Sequence, residues 1–102
     1  MSTLLATPIL RLQSGENAGK VYDLRSALRL GRHPYNEVSI NDPAVSRYHC
    51  WITHEMGLVL IEDLASVNGT FVNGEKVTKR VVLKPGDTIR LGETEILFSE
   101  ED

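Results

Sequence analysis

Three short stretches of this 102-residue chain hold its most unusual polar content: Gly31-Arg32-His33-Pro34-Tyr35-Asn36, Asn41-Asp42-Pro43-Ala44-Val45-Ser46-Arg47 and Ala65-Ser66-Val67-Asn68-Gly69. Two of them set an arginine beside a small residue, one adds the Ser46 hydroxyl, and the third adds the Asn68 carboxamide. Brought together, a few basic groups of this kind can receive one anionic group. Left apart, they are solvated charges and hydroxyls that cap their own turns. Arg47 has a plain alternative in an ion pair with Asp42, and Asn68-Gly69 has one as an ordinary turn.

Metal and nucleophilic chemistry fail on spacing. The soft ligands are His33, His49, Cys50 and His54. On a strand, His49 and Cys50 point to opposite faces, and so do His49 and His54. A zinc site needs four converging ligands, or three and a water, so no metal and no cofactor is expected. Ser46, His49 and Asp63 can be written as a triad, but no nucleophile elbow or oxyanion-hole glycine run accompanies them. No catalytic residue is assigned. Cys50 reads as a small buried apolar residue and Trp51 as a core or half-buried sheet residue.

The elements that must position these loops are strands. Period-2 segments recur at short intervals, from Pro8-Ile9-Leu10-Arg11-Leu12-Gln13 to Glu95-Ile96-Leu97-Phe98. Turn chemistry separates nearly every pair: His54-Glu55-Met56-Gly57, Asn73-Gly74, Lys84-Pro85-Gly86-Asp87 and Gly92-Glu93-Thr94. Asn73-Gly74 is read as a turn and nothing more. About ten or eleven short strands and no convincing 3.6-residue period mean an all-β antiparallel sandwich or barrel. Residues 1–7 read as an N-terminal extension, 8–99 as the domain and 100–102 as an acidic tail.

Taken in order, Gly31-Arg32, Ser46-Arg47-Tyr48-His49 and Asn68-Gly69-Thr70-Phe71-Val72-Asn73-Gly74 resemble the forkhead-associated (FHA) domain. Leu83-Lys84-Pro85-Gly86-Asp87-Thr88-Ile89-Arg90-Leu91-Gly92 resembles that family's last hairpin, and the likeness runs from about Leu10 to Phe98. It implies an eleven-stranded antiparallel β-sandwich of two twisted sheets that binds phosphothreonine peptides through loops at one end. Phosphothreonine offers three acceptor oxygens and about −1.5 to −2 charges. The resemblance therefore assigns Arg32, Ser46 and Arg47 to the phosphate. Asn68 would pair with the backbone of an extended peptide. Gly31 and Gly69 would serve backbone geometry, and His49 would brace the edge. Ser66, Val67 and Asn36 are weaker candidates: Ser66 could replace a hydroxyl that several members carry at position 67, and Asn36, with Tyr35 and Ala44, could read flanking residues. Val67, Asn68 and Gly69 are placed to receive the γ-methyl, so phosphothreonine should be preferred over phosphoserine.

Charge and composition agree with a module of this kind. Eleven Lys and Arg against fourteen Asp and Glu give a net charge of -3. Three of the acids are Glu100, Glu101 and Asp102, so the remainder is neutral. Without a basic face the chain is not a nucleic-acid binder. The longest apolar run is about five residues, where a membrane helix needs roughly twenty, so no direct membrane insertion is expected. One cysteine and no secretory leader point to the cytoplasm, as a free adaptor or the cytosolic part of a longer protein. The expected role is non-catalytic recruitment of phosphorylated partners made by an upstream Ser/Thr kinase. The competing reading is a phospho-independent interaction or oligomerisation domain using the same loops.

Overall fold

The computed structural model describes residues 6–101. In chain order the strands are β1 (Thr7–Leu12), β2 (Val21–Asp23), β3 (Leu28–Gly31), β4 (Val38–Ser39), β5 (Cys50–Glu55) and β6 (Leu58–Asp63). They continue with β7 (Thr70–Val72), β8 (Glu75–Lys76), β9 (Val81–Leu83), β10 (Thr88–Leu91) and β11 (Thr94–Glu101). One sheet has the order β2-β1-β11-β10-β7-β8 and the other β4-β3-β5-β6-β9. No helix occurs among the described residues.

Alternation decides which side chains meet between the sheets. In β3, Leu28 and Leu30 are buried while Arg29 is exposed; in β10, Ile89 and Leu91 are buried around exposed Arg90. Leu10, Ile52, Ile61, Ile96 and Phe98 complete the centre of one continuous core. Cys50 is fully buried within it, and burial pushes its thiol pKa far up, so it behaves as a small apolar residue. Trp51, its neighbour in β5, faces outward and is exposed rather than core or half-buried, because alternation along β5 sets it on the outer face of the sheet.

Three local features depart from the sequence reading. β3 and β4 pair in parallel, Leu30 with Val38 and Gly31 with Ser39, where an antiparallel arrangement was expected. The intervening residues 32–37 are enough to carry the chain back before it pairs, and Ile40 N–H then reaches the Gly31 carbonyl at 2.8 Å. The β5–β6 turn is tighter than the sequence suggests. His54 and Glu55 stay in β5, leaving Met56 and Gly57 to turn the chain at φ 52° and 79°. Finally, Glu100 and Glu101 are part of β11 rather than a tail. They pair with Pro8 and Thr7 of β1, and the Arg11 guanidinium donates to Glu101 at 3.0 Å. Thr7, assigned to the extension, opens β1; residues 1–5 and Asp102 lie outside the described residues.

Candidate functional site

Residues 32–37 connect β3 to β4, residues 40–49 connect β4 to β5, and residues 64–69 connect β6 to β7. Backbone bonds join the first two loops: Arg32 N–H donates to the Ser46 carbonyl at 2.9 Å and His33 N–H to the Arg47 carbonyl at 3.1 Å. Gly31 permits that approach. A Cβ there would lie 2.2 Å from the Arg47 carbonyl oxygen, which is backbone and cannot swing aside. Asn36 locks the same junction from beneath, its Nδ2 donating to the His33 and Arg47 carbonyls at 2.8 and 2.7 Å. It is buried, so the weak expectation that it reads a ligand is corrected: its amide hydrogens are spent on the protein's own backbone.

His49 joins the second loop to the third. Its ring is fully buried; Nδ1 accepts the Ser46 N–H at 3.0 Å and Nε2 lies 2.9 Å from the Gly69 carbonyl. A backbone N–H directed at Nδ1 requires that nitrogen to be unprotonated, which makes Nε2 the donor to Gly69. One imidazole therefore ties two loops together across the site. Gly69 itself sits at φ 89°, where a side chain would be strained.

On this frame the polar groups face outward. Ser46 Oγ accepts the Val67 N–H at 2.9 Å, leaving its own proton to donate to a ligand. Arg32 Nε donates to the Val45 carbonyl at 3.0 Å, which orients the guanidinium and leaves both terminal nitrogens free. Arg47 is exposed beside Ser46. Neither arginine pairs with a carboxylate among the described residues. The Asp42 alternative for Arg47 is closed, because that carboxylate accepts from Ala44 N–H, Glu93 N–H and the Thr94 hydroxyl, each at 2.9 Å. Burial pushes the Asp42 carboxyl pKa up, but these bonds outweigh it and hold it below the usual range. Asn68 Nδ2 donates to the Ala44 carbonyl at 2.8 Å, and the exposed side chain keeps its Oδ1 and second amide hydrogen for a ligand backbone.

Ser66 is placed differently from expectation. Its hydroxyl donates to Asp63 Oδ1 at 2.6 Å and accepts the Gly69 N–H at 2.9 Å, so it holds the third loop instead of facing a phosphate. Asp63 also accepts from Ser66 N–H at 3.0 Å and Thr70 Oγ1 at 2.7 Å. Burial raises the Asp63 pKa, yet the hydroxyl and amide donors win and keep it low. This cluster holds Ala65 at φ 57°, a left-handed conformation that costs a non-glycine residue about 1 kcal/mol or more. Reasoning from the sequence missed Asp42 and Asp63 as braces. Their signal is an acid followed two or three residues later by a small residue, the pattern of a side chain capping its own turn. Val67 is 87% exposed, an open apolar wall rather than a closed niche.

The edge is an open surface. A hollow of about 540 Å³ lies beside Arg32, lined by Lys20, Asn36 and Asn41 among others, but Ser46, Arg47 and Asn68 are not in its wall. Such an edge suits an extended chain lying across three loops more than an enclosed small molecule.

The FHA domain family model matches residues 28–92. The oxoglutarate dehydrogenase inhibitor of Corynebacterium diphtheriae is 34% identical over 93 residues, covering 90% of this chain and 64% of its own length. The glycogen accumulation regulator GarA of Mycolicibacterium smegmatis is 35% identical over 91 residues, covering 88% of this chain and 57% of its own. The chain thus spans less than two thirds of either relative. Among solved structures, Mycobacterium tuberculosis EmbR in complex with a low-affinity phosphopeptide superposes with a TM-score of 0.83 at 33% identity, over 92% of this chain and 24% of that one. With the family motif on the same loops that converge here, the chain belongs to the FHA domain family.

Proposed function

We propose that this chain is a non-catalytic module that binds phosphothreonine peptides, and so recruits partners phosphorylated by a Ser/Thr kinase. The observation that carries the reading is the pair of exposed guanidinium groups, Arg32 and Arg47, free of carboxylates among the described residues and flanking a serine hydroxyl whose acceptor side is already used. Arg32 would grip two phosphate oxygens with its terminal nitrogens, Ser46 would donate to a third, and Arg47 would add charge. Asn68 would pair with the peptide backbone. Three or four charge-assisted bonds of roughly 1.5–3 kcal/mol each cover most of a micromolar affinity of about −8 kcal/mol. Ordering the peptide takes part of that back.

Residues 8–99, with β11 extended to Glu101, would act as the folded binding unit. No helix among the described residues is long and apolar enough to cross a membrane. A cytoplasmic setting fits the kinase-dependent reading.

Titration with paired peptides, identical except for the phosphate, tests the proposal. The phosphorylated peptide should bind at micromolar concentration and shift the amides of residues 32, 46, 47 and 68, while the other should not bind measurably. Equal affinity for both would replace this reading with phospho-independent recognition. A phosphoserine version should bind about fourfold more weakly, because it lacks the methyl that Val67 and its neighbours would cover and the open wall leaves no closed cavity to add to that transfer value.

A further inference from the structure

The two outer faces of the sandwich differ in kind. The six-stranded sheet shows charge: Arg11 pairs with Glu101 at 3.0 Å, Glu95 is exposed, and the exposed Arg90 guanidinium lies 4.4 Å from the centre of the Phe71 ring. The five-stranded sheet shows apolar surface. Alternation turns Trp51 and Thr53 of β5, Leu58 and Leu60 of β6, and Val82 of β9 outward. Register joins them into one patch: Thr53 lies opposite Leu60, Leu60 opposite Val82, and Trp51 diagonal to Leu60. Trp51, Leu58 and Val82 are 36%, 49% and 41% exposed. Thr53, among them, is buried, and its hydroxyl has no partner among the described residues, so the middle of the patch is already closed to water.

Charges of opposite sign flank Trp51. Register places Arg29 of β3 beside it on one side and Glu62 of β6 on the other. Arg29 makes only a 4.0 Å contact with Glu37, and Glu62 pairs with no cation among the described residues. A two-fold axis along β5 would therefore set one Trp51 on another and Arg29 of each copy against Glu62 of the other, a self-complementary contact. An axis across the strands at Thr53 would set each Trp51 against a Glu55 carboxylate instead. The first arrangement also keeps the strands of the two faces nearly aligned, as sheets packed face to face prefer. Five strands about 4.8 Å apart and three rows about 7 Å apart make a face of about 20 by 15 Å. Two such faces bury on the order of 1,000 Å², the lower bound for a specific interface, so the contact is a weak one.

We infer that the outer face of the five-stranded sheet is the interface of a weak symmetric dimer of this chain, with Trp51 at the two-fold axis and Arg29 of each copy paired with Glu62 of the other. Because the axis runs along β5, both copies point their three polar loops the same way. On the function proposed above, the pair would present two phosphate sites side by side and hold a target carrying two phosphothreonines at both.

Sedimentation equilibrium from about 10 μM to about 1 mM protein, with no phosphopeptide present, tests the interface separately from the proposed function. The mass should rise from that of one chain toward that of two. Emission from Trp51, the chain's single tryptophan, should move to shorter wavelength over the same range as the ring loses water. Trp51→Thr should remain monomeric, with Tm within about 3 °C of wild type. Arg29→Glu and Glu62→Arg should each weaken association at least about tenfold, and the two changes in one chain should restore it to within about threefold of wild type. A monomer at the highest concentration overturns the inference. So does a dimer that Trp51→Thr leaves as tight, which would place the contact on another surface, and so does a double charge variant that fails to recover what the single reversals lose.

Discussion

The two ends of the sandwich reverse the chain by different physical means. At one end, turns are made by backbone conformation. Met56-Gly57 and Asn73-Gly74 each take positive φ at both positions, the mirror-image turn that matches the twist of the flanking strands. Asn73 adds two exposed side-chain bonds, donating to Asp87 and accepting the Thr88 N–H. At the other end the connections are longer and irregular, and side chains hold them. His49, Asn36, Asp42, Asp63 and Ser66 each bond backbone groups of these loops. A tight hairpin can be specified by two residues and tolerates change around it. On the function proposed above, an edge that presents Arg32, Ser46 and Asn68 at fixed spacing needs a buried polar frame, and damage to that frame should reach both stability and binding.

The strongest way to break this contrast is His49→Ala. It removes a buried ring and leaves the Ser46 N–H and the Gly69 carbonyl without their partner. A loss of about 3 kcal/mol or more is expected, seen as a fall in Tm of more than about 10 °C for a domain of this size. Binding should fall with it at temperatures where the variant is still folded. An unchanged Tm would show that the loops hold each other without the histidine.

Asp63→Asn should cost about 2 kcal/mol at pH 7, because an amide cannot accept at both positions from two hydroxyls and an N–H. Its pH dependence has a definite sign. The folded-state pKa of Asp63 is lowered, so its contribution is full above an unfolded value of about 3.9 and is lost as pH falls through the folded value. Denaturant curves for wild type and variant should therefore converge below about pH 4 and stay apart at neutral pH. A constant difference across that range would mean the carboxylate's charge is irrelevant to the loop.

Arg32→Ala separates binding from folding. Its side chain is exposed and makes one internal bond, a part-buried one to the Val45 carbonyl. Phosphopeptide affinity should drop at least about tenfold, or 1.4 kcal/mol, with Tm moving by no more than about 3 °C. Wild-type affinity, or an unfolded variant, would reverse the assignment of this residue.

The smallest effect belongs to the far hairpin. Met56 is fully exposed at φ 52°, a conformation asparagine tolerates better than methionine. Met56→Asn creates the preferred Asn-Gly turn and should stabilise the fold by about 0.5 kcal/mol with no change in phosphopeptide affinity. Calorimetry and the same titration check both halves. An altered affinity would show that the two ends are coupled.

How legible each feature was in the sequence follows the same division. The strands around Leu30, Ile52 and Ile89 were plain because alternation is written locally, and Asn73-Gly74 was plain because its turn needs only its own two residues. The outward groups Arg32, Ser46 and Asn68 were singled out through the order of their motifs. The frame beneath was less visible. Asn36 looked like a surface amide until β4 paired in parallel with β3 and carried it under the Arg47 carbonyl. Ser66 looked like a ligand because Asp63, three residues before it, was not read as the acid that caps this turn and captures its hydroxyl. The stacking of His33 on Tyr48 joins two loops whose separation is fixed only by the folded sheets. The extent of β11 was hidden for a related reason: Glu100 and Glu101 are charged, but their backbone is held by β1 whatever their side chains are.

The Thr7–Glu101 pairing has a mechanical consequence. It brings the start of β1 beside the end of β11, while the opposite ends of those strands, Leu12 and Ile96, lead toward the Gly92–Glu93 turn that Asp42 binds. Chain therefore enters and leaves at one pole, and the three recognition loops occupy the other. A body wired in this way can be spliced into a host polypeptide or hung from one by a single stalk without either strand crossing the loops. If the stalk is flexible, its length then sets the local concentration at which the loops meet a target on the same assembly.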